Sequence, residues 1–433
     1  MQQQNSIKKV LITWTKWKTS MTMFLDELVE NSLVVNSEFL KIKNDNEVKY
    51  FKSWQDVLKL YWTIPSWTPF RFLILNDFYK FDYYIAETDI NNSFNPILWT
   101  SLGTKIVDIW ILTNVFPEHI DWSLIESYND LVLRKLYLLF WSSSYKADKT
   151  TNLIININDR LIFNEVMNFI KWYYNERMNI DITKRNIYIH LVVDESIFDD
   201  FFTKKEFEQI CADYWYIISD FIYYNNKELN GIPLSNFRLS FNGRYKVAAP
   251  ILWILYFFWR INWLNLDIEN IMFPRGLGRM EFIEKWWKIF LIDHISEKNS
   301  FQWLIDLLQE NYKDKDIEMI FSLKYDASDS KINDFAEILN KLLNNWTIKK
   351  LYLYDNLQVR WKDTIKTRNW EYKSFELIKR LKEMIDNPNV EILYDRDKKI
   401  QEIIKSNKDN GKLFIISLNS IESPYFKDIF GLY

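Results

Sequence analysis

Short apolar runs alternate with longer amphipathic stretches from one end of the chain to the other. That rhythm predicts buried strands linked by helices, an α/β layering with mostly parallel sheets. Residues 8–13 read as a strand, followed by a turn and a helix over 20–30. Residues 83–86 and 106–112 read as further buried strands. Strands over 152–157 and 187–193 flank a helix over 163–175. Residues 247–259 form the longest apolar run, interrupted by Pro250 and closed by Arg260. It falls well short of the ~20 residues a membrane span needs, so a buried helix is expected there and no membrane span.

A second rhythm starts near Gly276. Strands over 288–292, 317–323, 349–354, 390–394 and 412–417 are separated by helices such as 332–343 and 373–385. This is the pattern of a small doubly wound, Rossmann-like domain. The expected division is a larger domain over 1–275 and a smaller one over 276–433, each long enough for a sizeable core.

Composition sharpens this picture at one point. The 433 residues include 20 tryptophans and only 7 glycines. An average chain of this length has roughly thirty glycines. Many of the tryptophans also stand where a backbone needs glycine. Asn344-Asn345-Trp346-Thr347 reads as a turn with an indole in its glycine slot, Ser66-Trp67-Thr68-Pro69 as a loop, and Trp286-Trp287 as a tight turn before the strand at 288–292. The hypothesis is that these codons mean glycine in the source organism. UGA is the natural candidate, since different genetic codes read it as stop, tryptophan or glycine.

Charge and cysteine content narrow the function classes. Hydrophobic residues make up 48% and charged residues 26%, the profile of a globular protein. A formal net charge of −3 offers no basic footprint for nucleic acid. Cys211 is the only cysteine, which excludes an intramolecular disulfide and a cysteine zinc cluster. A polar start running straight into a strand gives no sign of a signal peptide. A cytoplasmic setting is expected. Runs such as Lys313-Asp314-Lys315-Asp316 read as solvated surface.

The segment with most chemistry is Trp14-Thr15-Lys16-Trp17-Lys18-Thr19-Ser20, placed between a strand and a helix. That is the context of a phosphate-binding loop, where backbone N–H groups and a helix N-terminus cradle an anion. Lys18 would reach the outer phosphates and the Thr19 hydroxyl would hold Mg²⁺. As printed, two indoles would fill the space that the phosphate needs. With Trp14 and Trp17 read as glycine the segment becomes G-T-K-G-K-T.

That string resembles the nucleotide loop of the Mur ligase superfamily, and other segments agree with it. Glu87 follows the strand at 83–86, where the family has a metal-binding glutamate. The stretch from Trp110 through Thr113-Asn114 to Glu118-His119-Ile120-Asp121 is similar to the family's G-x-x-T-N-x-x-x-D-H-x-D, with Glu118 for the usual aspartate. Trp263-Leu264 with Glu269-Asn270-Ile271 resembles a helix-ending G-L and the following E-x-I. Gly278-Arg279-Met280-Glu281 resembles G-R-M-E, and Asp395-Arg396 with Ile400 resembles D-R-x-x-A-I. Arg360-Trp361-Lys362 and Trp370-Glu371 are similar to the R-G-R…G-E of the Mur-like half of cyanophycin synthetase.

The resemblance implies a P-loop ATPase domain followed by a smaller ligase domain. It implies an ATP-dependent ligase that activates a carboxylate substrate as an acyl phosphate and transfers it to an amino acid or peptide amine. In that reading Lys18 and Thr19 serve the phosphates and the first Mg²⁺, and Glu87 and His119 a second Mg²⁺. Arg279 serves the γ-phosphate, and Asp293 contacts the nucleotide. Lys135 is the nearest match to the family's carbamylated lysine, with its spacing off by a residue or two. Two patterns depart. The adenine-side G-R-x-N-x-x-N is Gly243-Arg244-Tyr245-Lys246-Val247-Ala248-Ala249, without either asparagine. D-Y-A-H-x-P is Asp293-His294-Ile295-Ser296-Glu297-Lys298. The chain begins at the phosphate loop, as expected of a two-domain ligase or a fragment of a larger one. Alternatives are a ligase like folylpolyglutamate or poly-γ-glutamate synthase, or an inactive relative that binds nucleotide or a partner.

Overall fold

The structure, a computed structural model of the chain, describes residues 7–13, 18–36, 40–44, 47–51, 80–87, 107–113, 129, 132, 136, 150–178, 187–225, 227–229, 232–233, 236, 245–264, 271, 281–285, 287–295, 298–323, 327, 329–345, 347–355, 368–406 and 411–417. The chain forms two compact units, Met1–Pro274 and Arg275–Tyr433.

In the first unit, β1 (Lys8–Thr13) leads to α1 (Lys18–Leu28). Then come β2 (Ser32–Val35), β3 (Leu40–Asn44), β4 (Glu47–Phe51), β5 (Tyr83–Glu87), β6 (Ile109–Leu112) and β7 (Thr151–Ile157). They are followed by α2 (Arg160–Met178), β8 (Ile187–Asp194), α3 (Lys204–Asp213), β9 (Ile218–Tyr224), β10 (Glu228–Leu229), β11 (Ile232–Pro233) and α4 (Tyr245–Asn262). The strands form one sheet in the order β11-β10-β9-β8-β7-β6-β1-β5-β2-β3-β4. From β9 to β2 all neighbours are parallel, and an antiparallel hairpin closes each edge.

The side-chain period of two along a strand explains the layering. Val10 and Ile12 of β1 pack with Phe24 and Leu25 of α1 and Leu252 and Phe258 of α4. Leu11, between them, packs on the other face with Phe163 and Val166 of α2 and Phe207 of α3. The central strands β1, β6, β7 and β8 are covered on both sides, so their runs are largely apolar rather than alternating. The start of α3 is fixed locally. Thr203 Oγ1 accepts from the Glu206 amide while Glu206 Oε2 accepts from the Thr203 amide, a reciprocal cap. The apolar run at 247–259 is a buried helix, α4, with Pro250 inside it. Among the described residues no helix is long and apolar enough to cross a membrane.

In the second unit β12 (Glu281–Lys285) and β13 (Lys288–Asp293) form a hairpin. They are followed by α5 (Lys298–Asn311), β14 (Ile317–Phe321), α6 (Asp329–Asn344), β15 (Lys350–Tyr354), α7 (Arg368–Met384), β16 (Val390–Leu393), α8 (Arg396–Lys405) and β17 (Leu413–Ser417). The sheet order is β12-β13-β17-β14-β15-β16, parallel except for β12. Leu291, Met319, Leu351 and Ile415 meet α5, α6 and α7 on one face. Phe290, Ile320, Tyr352 and Phe414 meet Ile400 and Ile403 of α8 on the other. The molecule is therefore the mixed α/β, mostly parallel arrangement that the periodicity predicts. The antiparallel strands β3, β4, β10, β11 and β12 are the additions that it did not foresee.

Candidate active site

Parallel pairing brings the carboxyl ends of three central strands level with one another. Ile12 of β1 is in register with Glu87 of β5, and Thr13 with Leu112 of β6. In parallel sheets this end is where ligands bind, because helix N-termini and loops converge on it. Helix α1 starts here with Lys18 and has no acidic residue in its first turn, so its positive end faces no side-chain carboxylate of its own.

Lys18 Nζ lies 3.5 Å from Glu87 Oε1, and each side chain is only 12% exposed. The fold thus joins two residues 69 positions apart that the sequence assigned separately to phosphate and metal. Partial burial lowers the dielectric around the pair, so either charge is felt more strongly here than on open surface. Ser20 is buried in the same turn of helix.

Sequence reasoning passed over Thr13. Its side chain is buried, and its Oγ1 has no hydrogen-bond partner among the described residues. Its carbonyl accepts from Thr113 N at 3.3 Å and Thr113 Oγ1 at 3.4 Å. A buried hydroxyl left unpaired costs about 1–3 kcal/mol, and this one directly precedes positions 14–17. The only signal in the sequence was position: Thr13 is the last residue before the loop.

A Glu87 carboxylate suits a hard divalent cation such as Mg²⁺, which takes few protein oxygens and keeps phosphate oxygens and water as its other ligands. Among the described residues no group of three or more His, Cys, Asp and Glu side chains is arranged to hold a metal alone. The residues present fit that mode of binding. Thr19 lies in the first turn of α1; its side chain, with Trp14, Thr15, Lys16, Trp17, His119, Lys135 and Arg279, lies outside the described residues.

In the second unit Asp293 ends β13, nearly buried, and its Oδ1 accepts from the His294 amide at 2.8 Å. Arg396 is 2% exposed, stacks on the Tyr354 ring at 5.1 Å and donates to Tyr354 Oη; that hydroxyl donates to Ser417 O at 2.8 Å. Asp395 caps α8 by accepting from Lys398 N. The Asp-Arg pair is thus engaged in holding the second unit together.

Two of the tryptophans at turn positions, Trp263 and Trp287, have left-handed backbone. At the end of α4 the Leu264 amide donates to Trp259 O at 3.2 Å, the six-to-one bond of a Schellman motif. Trp263 occupies the residue beyond the cap with φ 55°, and it is 92% exposed. Between β12 and β13 the last pair is Lys285 with Lys288, which leaves a two-residue turn. Trp287 in that turn has φ 62° and is 86% exposed. Both slots favour glycine, since a side chain in left-handed backbone clashes with the following carbonyl. Trp110, by contrast, sits buried in β6, outside left-handed backbone, with its indole Nε1 unpaired among the described residues. Trp361 lies outside the described residues.

No protein-family model matches the sequence, and no curated protein matches it. Solved structures do match. A Mycobacterium tuberculosis folylpolyglutamate synthase complexed with ADP and AMPPCP aligns at TM-score 0.57 and 12% identity, over 99% of this chain and 92% of that one. A bifunctional folylpolyglutamate synthase/dihydrofolate synthase from Yersinia pestis, with AMPPNP and a Mn ion, aligns at 0.52 and 12%, over 99% and 90%. A MurF ligase from Thermotoga maritima in complex with ADP aligns at 0.48 and 12%, over 99% and 81%, and adds nothing to the fold assignment. Over nearly its whole length the chain has the fold of the folylpolyglutamate synthases.

Proposed function

We propose that the chain is an ATP-dependent carboxylate–amine ligase. Its first unit is the ATP-binding domain and its second the ligase domain. The observation that carries this is the Lys18–Glu87 pair at the carboxyl end of β1 and β5, next to the loop at 14–17. Until nucleotide arrives, Glu87 neutralises the lysine. An incoming γ-phosphate replaces it as the partner of Lys18 and frees the carboxylate. One contact thus prepares a site for phosphate and a site for cation together.

Catalysis of this kind is positioning and charge neutralisation. A substrate carboxylate oxygen attacks the γ-phosphorus, and ADP leaves as an acyl phosphate forms. The amine then attacks the acyl carbon, the amide bond forms, inorganic phosphate leaves and the amine gives up a proton. Lys18 and the N-terminus of α1 bind phosphate oxygens and hold them in line. Thr19, Glu87 and His119 are the proposed Mg²⁺ ligands, and Mg²⁺ supplies neutralisation of phosphate charge. Arg279 and Asp293 are the proposed phosphate and nucleotide contacts of the second unit, and Lys135 the proposed carbamylated lysine.

The same proposal takes positions 14 and 17 as glycine in the working protein. What supports it is the left-handed backbone at Trp263 and Trp287, a conformation that glycine adopts with least strain. Between ligase subtypes, the R-x-K and D-R segments favour a relative of cyanophycin synthetase. The likeness to folylpolyglutamate synthases above a TM-score of 0.5 favours the second reading, a polyglutamylating ligase.

The test is a gene encoding Trp14→Gly and Trp17→Gly with the other tryptophan codons checked for UGA. ADP release is measured with Mg²⁺ and a panel of carboxylates and amines. Amine-dependent ADP release from the glycine form, reduced about 100-fold or more by Lys18→Ala, is the expected result. Silence of the glycine form across the panel sinks the ligase reading, and UGG at both loop codons sinks the recoding.

A further inference from the structure

Helix α1 carries a polar line along one flank, at Lys18, Thr22 and Asp26. Steps of four residues keep these groups roughly on one side of the helix. Lys18 meets Glu87 of β5. Thr22 Oγ1 accepts from Asn36 Nδ2 at 3.1 Å, just beyond β2. Asp26 is fully buried; Oδ2 pairs with the Lys41 ammonium of β3 and Oδ1 accepts from the Ser32 hydroxyl of β2. Lys43 of β3 donates to Asp26 O at 2.7 Å and Val29 O at 2.6 Å, satisfying carbonyls at the end of the helix. Met21, Phe24 and Leu25, on the other flank, are in the apolar core.

Apolar packing alone could seat α1. A buried ion pair is a poor way to gain stability, since desolvating two charges offsets most of their attraction. Its best-attested use is to specify register, because a shift of an ångström leaves a buried charge without its partner. Here Asn36 holds Thr22, Ser32 and Lys41 hold the two carboxylate oxygens of Asp26, and Lys43 holds the carbonyls of Asp26 and Val29 at the end of α1. They fix its rotation about its axis and its position along it.

We propose that Asp26, Lys41 and Ser32 are positioning residues that lock the register of α1 and so hold Lys18 and the first helical turn in place for phosphate. This rests on the nucleotide-site reading for what Lys18 does, but not for what the lock does to the helix. The test replaces the pair with apolar residues of similar volume, Asp26→Leu with Lys41→Met, in the full chain carrying glycine at 14 and 17. Two readouts are taken. Amide hydrogen exchange without ligand reports the helix, and calorimetric ADP binding reports the site.

The expected result is a melting temperature close to the parent's, together with at least about tenfold faster exchange in the hydrogen-bonded amides of α1 from Thr22 onward and about 10–100-fold weaker ADP binding. Should the double variant fail to fold, Ser32→Ala removes one hydrogen bond and leaves the ion pair. It is expected to loosen the same amides several-fold with little change in melting temperature. Unchanged exchange in α1 in the variant that folds overturns the lock. A parent that binds no ADP overturns the nucleotide reading and leaves the exchange result to judge the lock.

Discussion

His190 is the clearest case of a single residue whose chemistry follows from its place. It lies in the middle of β8, only 8% exposed, with Nε2 3.2 Å from Asn152 Oδ1 and its ring 5.2 Å from that of Phe257. Burial, with the Arg260 charge adding to it, pushes its pKa down to about 4. In the unfolded chain it titrates near ~6.5, so between those values the unfolded state binds the extra proton. Stability is then complete above the unfolded pKa and falls as pH drops towards 4, by about 3 kcal/mol in all. Replacing His190 with Phe removes this component. Denaturant unfolding from pH 7 to 4 should show a shallower loss for the variant than for the parent, and equal slopes would refute the assignment. At this scale the sequence singled out two residues that the fold brings together. Lys18 and Glu87 were recognisable from their neighbours in the chain. Thr13, Asp26 and Lys41 were not, because an aspartate in an amphipathic helix and a lysine among alternating charges both look like surface until the fold buries them.

Helix ends and turns carry the strongest physical case on the tryptophans. A bulky residue at positive φ costs roughly 1–2 kcal/mol in backbone strain, and an indole exposed to water returns none of it through burial. Trp263→Gly and Trp287→Gly should therefore each raise the melting temperature, by about 2–4 °C for a unit of this size. Trp215→Gly, at an exposed position outside left-handed backbone, serves as the comparison and should not stabilise. A loss of stability at both 263 and 287 would argue that the tryptophans belong there. The Thr347 amide donates to Leu342 O at 3.0 Å just beyond the end of α6. Strands buried on both faces were legible, β1 to the residue. The hairpin β2–β3 was not, because Lys41 and Lys43 break the apolar run that marks a buried strand, and their partners sit on α1 rather than beside them in sequence. Strand β12, with Glu281, Glu284 and Lys285 around a single buried Ile283, gives the same weak signal.

At the scale of the whole chain, each unit has apolar clusters of its own on the two faces of its sheet. Among the described residues the clusters of the second unit draw on its own elements. A segment covering 275–433, expressed alone, should then fold cooperatively, with helical and strand circular dichroism and a single unfolding transition. A molten spectrum without a transition would show that its core is incomplete. The mixed layering was legible because helix and strand periods alternate along the whole chain, whereas the strand order within each sheet was set by pairings that no local pattern records.

The edges of the larger sheet have a consequence for the protein at high concentration. An uncapped row of backbone groups is a template on which a second chain can build, and from there a fibril. Among the described residues one end of this sheet is β11, two residues long, one of them Pro233, which has no N–H to give. At the other end β4 spaces its apolar residues with Glu47 and Lys49, and charges along an outer strand oppose the stacking of like on like. The broad parallel centre, rich in Val and Ile and apt to aggregate on its own, is thereby kept out of reach of its neighbours in solution.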